Sequence, residues 1–302
     1  MPRSMISNTP TERVTLRLPA YLARIGYSGP TEPSAETLRA LHRAHMLAVP
    51  FENLDIHIGR PILCDEAAFL HKIVNEHRGG FCYELNGAFA ALLRVLGFHV
   101  TLLSARVAAA DGNYSPEFDH LALRVDLPGI AGLAWLADVG FGDSFIEPLL
   151  LQPGLEQPQI GRVYRLVENK SQATAEMETV FYVEVRSATP ENNSSIGKPI
   201  EEGKSRNEEK SPQEKWKRQY SFTLRPRQLA DFAEMCRYHQ TSPDSHFTRQ
   251  RLCTRPTSEG RITLSDLKLI ETRNGSRMER KLFGDDEWRA TLRELFQIDL
   301  PA

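Results

Sequence analysis

Cys82 lies in Arg78-Gly79-Gly80-Phe81-Cys82-Tyr83-Glu84-Leu85-Asn86, directly ahead of a helical pattern. A thiol in the first turn of a helix faces unpaired amide groups and the positive end of the helix dipole. Both favour thiolate, the form that attacks acyl carbon. The paired glycines permit a tight backbone approach, so the thiol can be presented at the base of a cleft. Free cysteine is also among the most buried residue types, and a small core residue is the other reading. His120 and Asp138 bear on that choice. His120 opens His120-Leu121-Ala122-Leu123-Arg124-Val125, where Leu121, Leu123 and Val125 alternate onto one strand face and leave His120 on the other. Asp138 ends the strand-like run Ala134-Trp135-Leu136-Ala137-Asp138-Val139, just before Gly140-Phe141-Gly142, where a reactive group is readily held. An imidazole can take the thiol proton, and a carboxylate can fix its tautomer and stabilise its charged form. Cys82, His120 and Asp138 are therefore the expected catalytic set. The remaining histidines have no such setting, and His42 and His45 read as helix-surface or core residues without a zinc pattern.

The elements that must position this set are legible in outline. Leu85, Phe89, Leu92, Leu93 and Leu96 line one face of a helix after Cys82, and Gly97 stops it. Ser34 is an N-cap for a helix carrying Leu38, Leu41 and Met46 up to Pro50, and Asp65 caps one carrying Phe69, Leu70 and Ile73. From about Phe98 to Tyr182 short apolar runs alternate with turns such as Asp111-Gly112 and Pro128-Gly129, as expected of antiparallel strands. The stretch from about 187 to 218 is hydrophilic and reads as an exposed connector. Beyond it come a helix from about Pro226 to Tyr238, strands, an Asn274-Gly275 hairpin turn and a terminal helix around Trp288 to Phe296. Periodicity alone supports a mixed α and β fold.

These blocks resemble the arylamine N-acetyltransferase family over most of the chain. The resemblance begins at Tyr21-Leu22-Ala23-Arg24-Ile25-Gly26-Tyr27 and Val49-Pro50-Phe51-Glu52-Asn53-Leu54-Asp55. It runs on through Arg-Gly-Gly-Phe-Cys, His120-Leu121-Ala122-Leu123 and Asp138-Val139-Gly140-Phe141-Gly142. It implies an α+β fold made of an N-terminal helical bundle at 1–97, a central antiparallel β-barrel at 98–218 and a C-terminal α/β lid at 219–302, around a cysteine-protease-like Cys-His-Asp core. The implied activity is ping-pong transfer of an acyl group, by way of acyl-Cys82, from a coenzyme A thioester to an aromatic amine or hydrazine. Acetyl-CoA is the expected donor, with propionyl-CoA and malonyl-CoA as alternatives. By matching, Phe81, Phe141, Asp143 and Phe145 would line the acceptor pocket and Gly142 would allow close approach of the donor. Thr241, Ser242 and Ser245, in a hydroxyl-rich turn, would contact coenzyme A. Arg78 and Glu52, with Asp55, would form a buried ion pair bracing the nucleophile loop. A cysteine hydrolase of papain or transglutaminase type and a non-catalytic binding relative stay open beside this reading.

Composition narrows the field further. The formal net charge of −2 on 302 residues offers no broad basic field for nucleic acid. Four scattered cysteines make neither a disulfide framework nor a zinc site, so no metal is expected and a reducing, cytoplasmic setting is. The polar stretch Met1 to Val14 reads as no signal peptide, and no run approaches a membrane span.

Overall fold

The computed structural model describes residues 17–171, 178–188 and 216–301. Most of the hydrophilic stretch expected at 187–218, and the polar N-terminal stretch, lie outside the described residues. The first part holds α1 (Leu18–Arg24), α2 (Ala35–Ala48), β1 (Phe51–Glu52), α3 (Leu54–His57), α4 (Glu66–Leu70), a π-helical turn His71–Asn75 and α5 (Cys82–Val95). The caps act as their residue types suggest: Ser34 accepts from the Thr37 amide and Asp65 from the Ala68 amide. Gly97 ends α5 with φ +90, a left-handed turn that glycine makes without strain.

The strands β2 (His99–Val107), β3 (His120–Asp126), β4 (Ala134–Ala137), β5 (Leu149–Leu150), β6 (Gln157–Gln159), β7 (Arg162–Ser171), β8 (Glu178–Ser187) and β9 (Lys217–Thr223) follow. They form one antiparallel, nearly closed barrel sheet in the order β5-β4-β3-β2-β9-β8-β7-β6. β9 runs across position 218, so the barrel takes in the start of the segment assigned to the lid.

The helix expected from Pro226 starts later, as a 3-10 turn Leu229–Phe232 leading into α6 (Ala233–Thr241). Arg227 is held extended because its amide donates to Leu102 O of β2 (3.0 Å), and the helical turn begins where Asp231 accepts from the Gln228 amide (2.8 Å). A one-turn helix α7 (His246–Arg249) precedes β10 (Leu252–Pro256), β11 (Gly260–Ser265), β12 (Lys268–Arg273), β13 (Ser276–Lys281) and α8 (Asp285–Phe296). The second sheet has the order β1-β10-β11-β12-β13, so the N-terminal part lends it an edge strand. Asn274 and Gly275, both at positive φ, make the two-residue turn between β12 and β13.

Three apolar clusters hold these layers. One packs α5, with Leu85, Phe89, Leu92 and Leu93, against Leu121, Leu123 and Val125 of β3. The second fills the barrel, with Ala122, Phe145, Tyr164 and Tyr220. The third lies between the second sheet and α8 around Trp288 and Phe296. Both faces of β3 are thus covered, which makes His120 a buried residue at the junction of the first two clusters.

Candidate active site

α5 begins at Cys82, with Phe81 as its extended N-cap residue. The backbone ahead of it is threaded too closely for side chains. A Cβ on Gly79 would lie 2.0 Å from Pro50 O, and one on Gly80 would lie 2.6 Å from Glu84 Oε2. His120 starts β3, and the β3–β4 register pairs Leu123 with Ala137. Extending that register puts Asp138 opposite Ala122 and diagonal to His120, within reach on one face. The structure therefore brings all three expected residues together. His120 Nε2 lies 2.7 Å from Asp138 Oδ2, which leaves Nδ1 as the ring nitrogen for the Cys82 thiol. Cys82 and His120 are 3 % exposed and Asp138 is 0 % exposed, so these groups interact with little water between them.

Burial pushes the Cys82 thiol up, while the hydrogen bond and charge of His120 pull it back. Burial alone would lower His120, but the Asp138 carboxylate and the sulfur overcome it and push the imidazole up to about 10. Burial would raise Asp138, yet His120, Asn86 and the Gly140 amide hold it below the usual carboxylate range. The arrangement can hold an imidazolium between the sulfur and an anion.

Further residues complete the geometry, among them Asn86, Tyr83 and Tyr220, to which sequence reasoning gave no role. Asn86, one helical turn beyond Cys82, donates to Leu121 O (2.6 Å) and Asp138 Oδ1 (2.9 Å) and accepts from the Val139 amide (2.9 Å). A single asparagine on an otherwise apolar helix face was the available signal. Gly140 packs so closely that a Cβ there would meet Cys82 Cα at 2.8 Å. His42 is a core residue: its Nε2 accepts from the Asp138 amide (3.1 Å) and its Nδ1 pairs with Ile146 O (2.6 Å). Burial lowers its pKa to about 4, so it stays neutral and able to accept. Tyr83 donates to Phe118 O (2.7 Å) and anchors the loop before His120. Phe141 meets His120 edge-on and Tyr220 lies tilted against it, with centroids 5.3 Å and 5.2 Å away.

The thiol opens onto a cavity of about 860 Å³ walled by Phe51, Phe141, Tyr164, His246 and Phe247, with Asp119 beside His120. Phe141, Gly142 and Asp143 line it. Asp143 is gripped by Arg162 (3.0 Å) and Arg261 (3.2 Å), both also on the wall. Phe81 and Phe145, expected on the wall, are fully buried and do not line the cavity. Phe81 packs on Tyr83 and Phe247, and Phe145 stacks on His42 inside the barrel. The expected coenzyme-contacting hydroxyls also sit off the wall. Thr241 donates to Arg237 O (2.9 Å), Ser242 accepts from the Asp244 amide (3.2 Å), and buried Ser245 caps α7 and faces His239 Nδ1 (3.1 Å). His246 and Phe247 of α7 face the cavity instead.

Arg78 and Glu52 meet at 2.8 Å and Arg78 and Asp55 at 2.9 Å, all buried. Lys72, unassigned in the sequence, joins them (below). Among the described residues no group of three or more His, Cys, Asp or Glu is arranged to hold a metal ion, and no helix is long and apolar enough to cross a membrane.

A buried thiol, imidazole and carboxylate at one end of an aromatic cavity define a thiol-based acyl-transfer type of site. Comparison with known proteins gives the family. A sequence model described as N-acetyltransferase matches residues 34–302. The chain is 36% identical to the arylamine N-acetyltransferase pineal gland isozyme NAT-3 of Gallus gallus and 32% identical to arylamine N-acetyltransferase 1 of Homo sapiens, with 93% of each chain covered in both cases. It superposes on the arylamine N-acetyltransferase of M. tuberculosis with a TM-score of 0.77 at 30% identity, covering 93% of each chain. The Mycobacterium marinum enzyme in complex with CoA gives 0.75 at 29% identity, covering 93% of this chain and 92% of that one. The chain belongs to the arylamine N-acetyltransferase family.

Proposed function

We propose that this protein is an acyl-CoA-dependent arylamine N-acetyltransferase in which Cys82, His120 and Asp138 carry the acyl group in two steps. One observation carries the assignment of residues: Cys82 meets the His120–Asp138 pair (2.7 Å) at the base of a cavity of about 860 Å³, a size typical of small-molecule sites.

In the first step Cys82 reacts as thiolate beside the His120 cation, which Asp138 stabilises. Sulfur bonds to the thioester carbonyl carbon, and the bond from that carbon to the coenzyme sulfur breaks. The departing thiolate takes the proton from His120. In the second step the amine nitrogen bonds to the carbonyl carbon of acyl-Cys82, the carbon–sulfur bond breaks, and His120 takes up the amine proton. Backbone amides at the start of α5 are the donors we assign to the oxyanion of either tetrahedral intermediate. One cavity serves both substrates in turn. Phe51, Phe141, Tyr164 and Phe247 suit an aromatic amine or hydrazine, and Arg162, Arg261 and Arg277 supply cations for a phosphate-bearing donor. Arg78, Glu52 and Asp55 brace the nucleophile loop. Four free cysteines, including a nucleophile, suit the reducing cytoplasm.

The test is intact-protein mass after mixing with acetyl-, propionyl- or malonyl-CoA without an amine, beside Cys82→Ala. The expected result is a single acyl adduct that needs Cys82 and disappears when an arylamine is added; the donor that forms it names the acyl group. No adduct with any donor overturns the proposal.

A further inference from the structure

Glu84 and Lys72 belong to the buried charge cluster but have no part in the steps above. Lys72 Nζ lies 2.8 Å from Glu84 Oε1, 2.9 Å from Asp55 Oδ2 and 3.6 Å from Glu52 Oε1. Arg78 reaches Glu52 and Asp55, and half-exposed Arg60 stands 3.9 Å from Asp55. Three buried carboxylates therefore face two buried cations. Glu52 and Asp55 each touch both cations, while Glu84 touches only Lys72, so Glu84 has the least support for its charge. The thiols of Cys64 and Cys236 also lie near enough to feel it. Burial first, then Glu52 and Asp55, push its carboxyl up to about 7 against the pull of Lys72.

The other oxygen of Glu84 has a specific task. Oε2 accepts from the Phe81 amide (3.1 Å), the residue that immediately precedes Cys82. That amide is one of the free donors at the start of α5, and a charged acceptor binds it more strongly than a neutral one. The bare Cα of Gly80 leaves the room that this carboxylate occupies.

We propose that Glu84 is a positioning residue for the nucleophile: pinned by Lys72, its carboxylate fixes the Phe81 amide and so holds the first turn of α5 where the Cys82 sulfur meets His120. The inference rests on Cys82 being the nucleophile of the proposed function. When Glu84 takes up a proton, the bond to Phe81 weakens and Lys72 loses one of its partners. Cys82 reactivity then falls as pH drops through about 7, a range in which the imidazole, held up to about 10, does not itself titrate.

The experiment is the rate of Cys82 alkylation by iodoacetamide in the full chain from about pH 5.5 to about pH 8.5, followed on the Cys82 peptide by mass spectrometry. The same series is run on Glu84→Gln, with folding checked by circular dichroism. On top of the slope that the raised Cys82 thiol gives both proteins, the wild-type rate is expected to drop roughly tenfold across a step near pH 7, and Glu84→Gln, which keeps the shape but cannot titrate, is expected to lose the step. A wild-type profile without that step overturns the proposal, as does a folded Glu84→Gln protein that retains it. Where Glu84→Gln does not fold, Lys72→Arg must move the step, and a step left in place overturns the proposal. Alkylation needs no acyl donor, so failure to form an acyl adduct and loss of the step are separate outcomes: the first counts against the transferase, the second against Glu84.

Discussion

Asn86 carries as much of the site's geometry as the reacting groups do. Its amide bonds Leu121 of β3, Asp138 and Val139 together from one position on α5, so the helix that presents the sulfur also sets the angle of the carboxylate. Truncation to alanine leaves two buried acceptors and one buried donor short of a partner, although Asp138 Oδ1 keeps the Gly140 amide at 3.0 Å. Each such loss costs about 1–3 kcal/mol, and partial relaxation brings the expected total to about 2–4 kcal/mol. Displacing the imidazole–carboxylate pair by a fraction of an ångström should also slow acylation of Cys82 by roughly 10–100-fold. Urea unfolding of Asn86→Ala, with pre-steady-state release of the donor's leaving group, checks both. An unchanged acylation rate in the folded variant would show that Asp138 is oriented without Asn86.

Between elements, the N-terminal helix acts as a fastener. Arg24 at the end of α1 donates to Ile73 O (2.9 Å), Ala48 O (3.0 Å), His77 O (3.2 Å) and Arg78 O (3.1 Å). One side chain thereby closes the end of α2, the π-helical turn and the loop that leads to Cys82. Ala48 O and Ile73 O belong to the last turns of their helices and His77 O and Arg78 O to the loop, carbonyls that otherwise need water or caps. Arg24→Met keeps the packed stem but gives up all four bonds, and stability should fall by about 2–4 kcal/mol. Since Arg24 touches none of the reacting groups, acylation per folded molecule should stay within about threefold of wild type. A urea midpoint that does not move would mean that water replaces the guanidinium at little cost.

At the scale of the whole molecule, local signals were readable and distant partnerships were not. The apolar spacing of Leu85 to Leu96 and the caps Ser34 and Asp65 act within a turn or two of the chain, so they appear in sequence and hold in the fold. The order Cys82, His120, Asp138 was legible because each lies at the end of an element with its own local pattern. The pairing of β1 with β10, the entry of β9 into the barrel and the burial of Lys72 beside Glu84 depend on contacts across the fold, which residue type alone does not specify. Phe81 and Phe145 show the same limit: their apolar character was plain, but which side of a loop meets the cavity is set by packing. Packing also sets how stability responds to pH. His120 is raised in the fold from 6.5 to about 10. A raised base contributes stability that is fully present below its unfolded pKa and lost as pH rises toward the folded value. Glu84, raised to about 7, contributes in the same sense, and its share runs out by about pH 8. The lowered carboxyls Asp55 and Asp138 act only in acid. Between about pH 8 and about pH 9, above the titration of Glu84 and of the unfolded His42 and His45, whose imidazoles the fold keeps neutral, the fold holds one proton on His120 that the unfolded chain has released, so unfolding free energy should fall by up to roughly 1.4 kcal/mol per pH unit. The raised Cys82 thiol adds a decline of the same sign toward the upper end. Asp138→Asn removes the carboxylate that opposes burial of the cation, and its slope over the same interval should be less than about half that of wild type. Chemical denaturation at stepped pH measures both slopes, and equal slopes would mean that the imidazole is neutral in the folded protein.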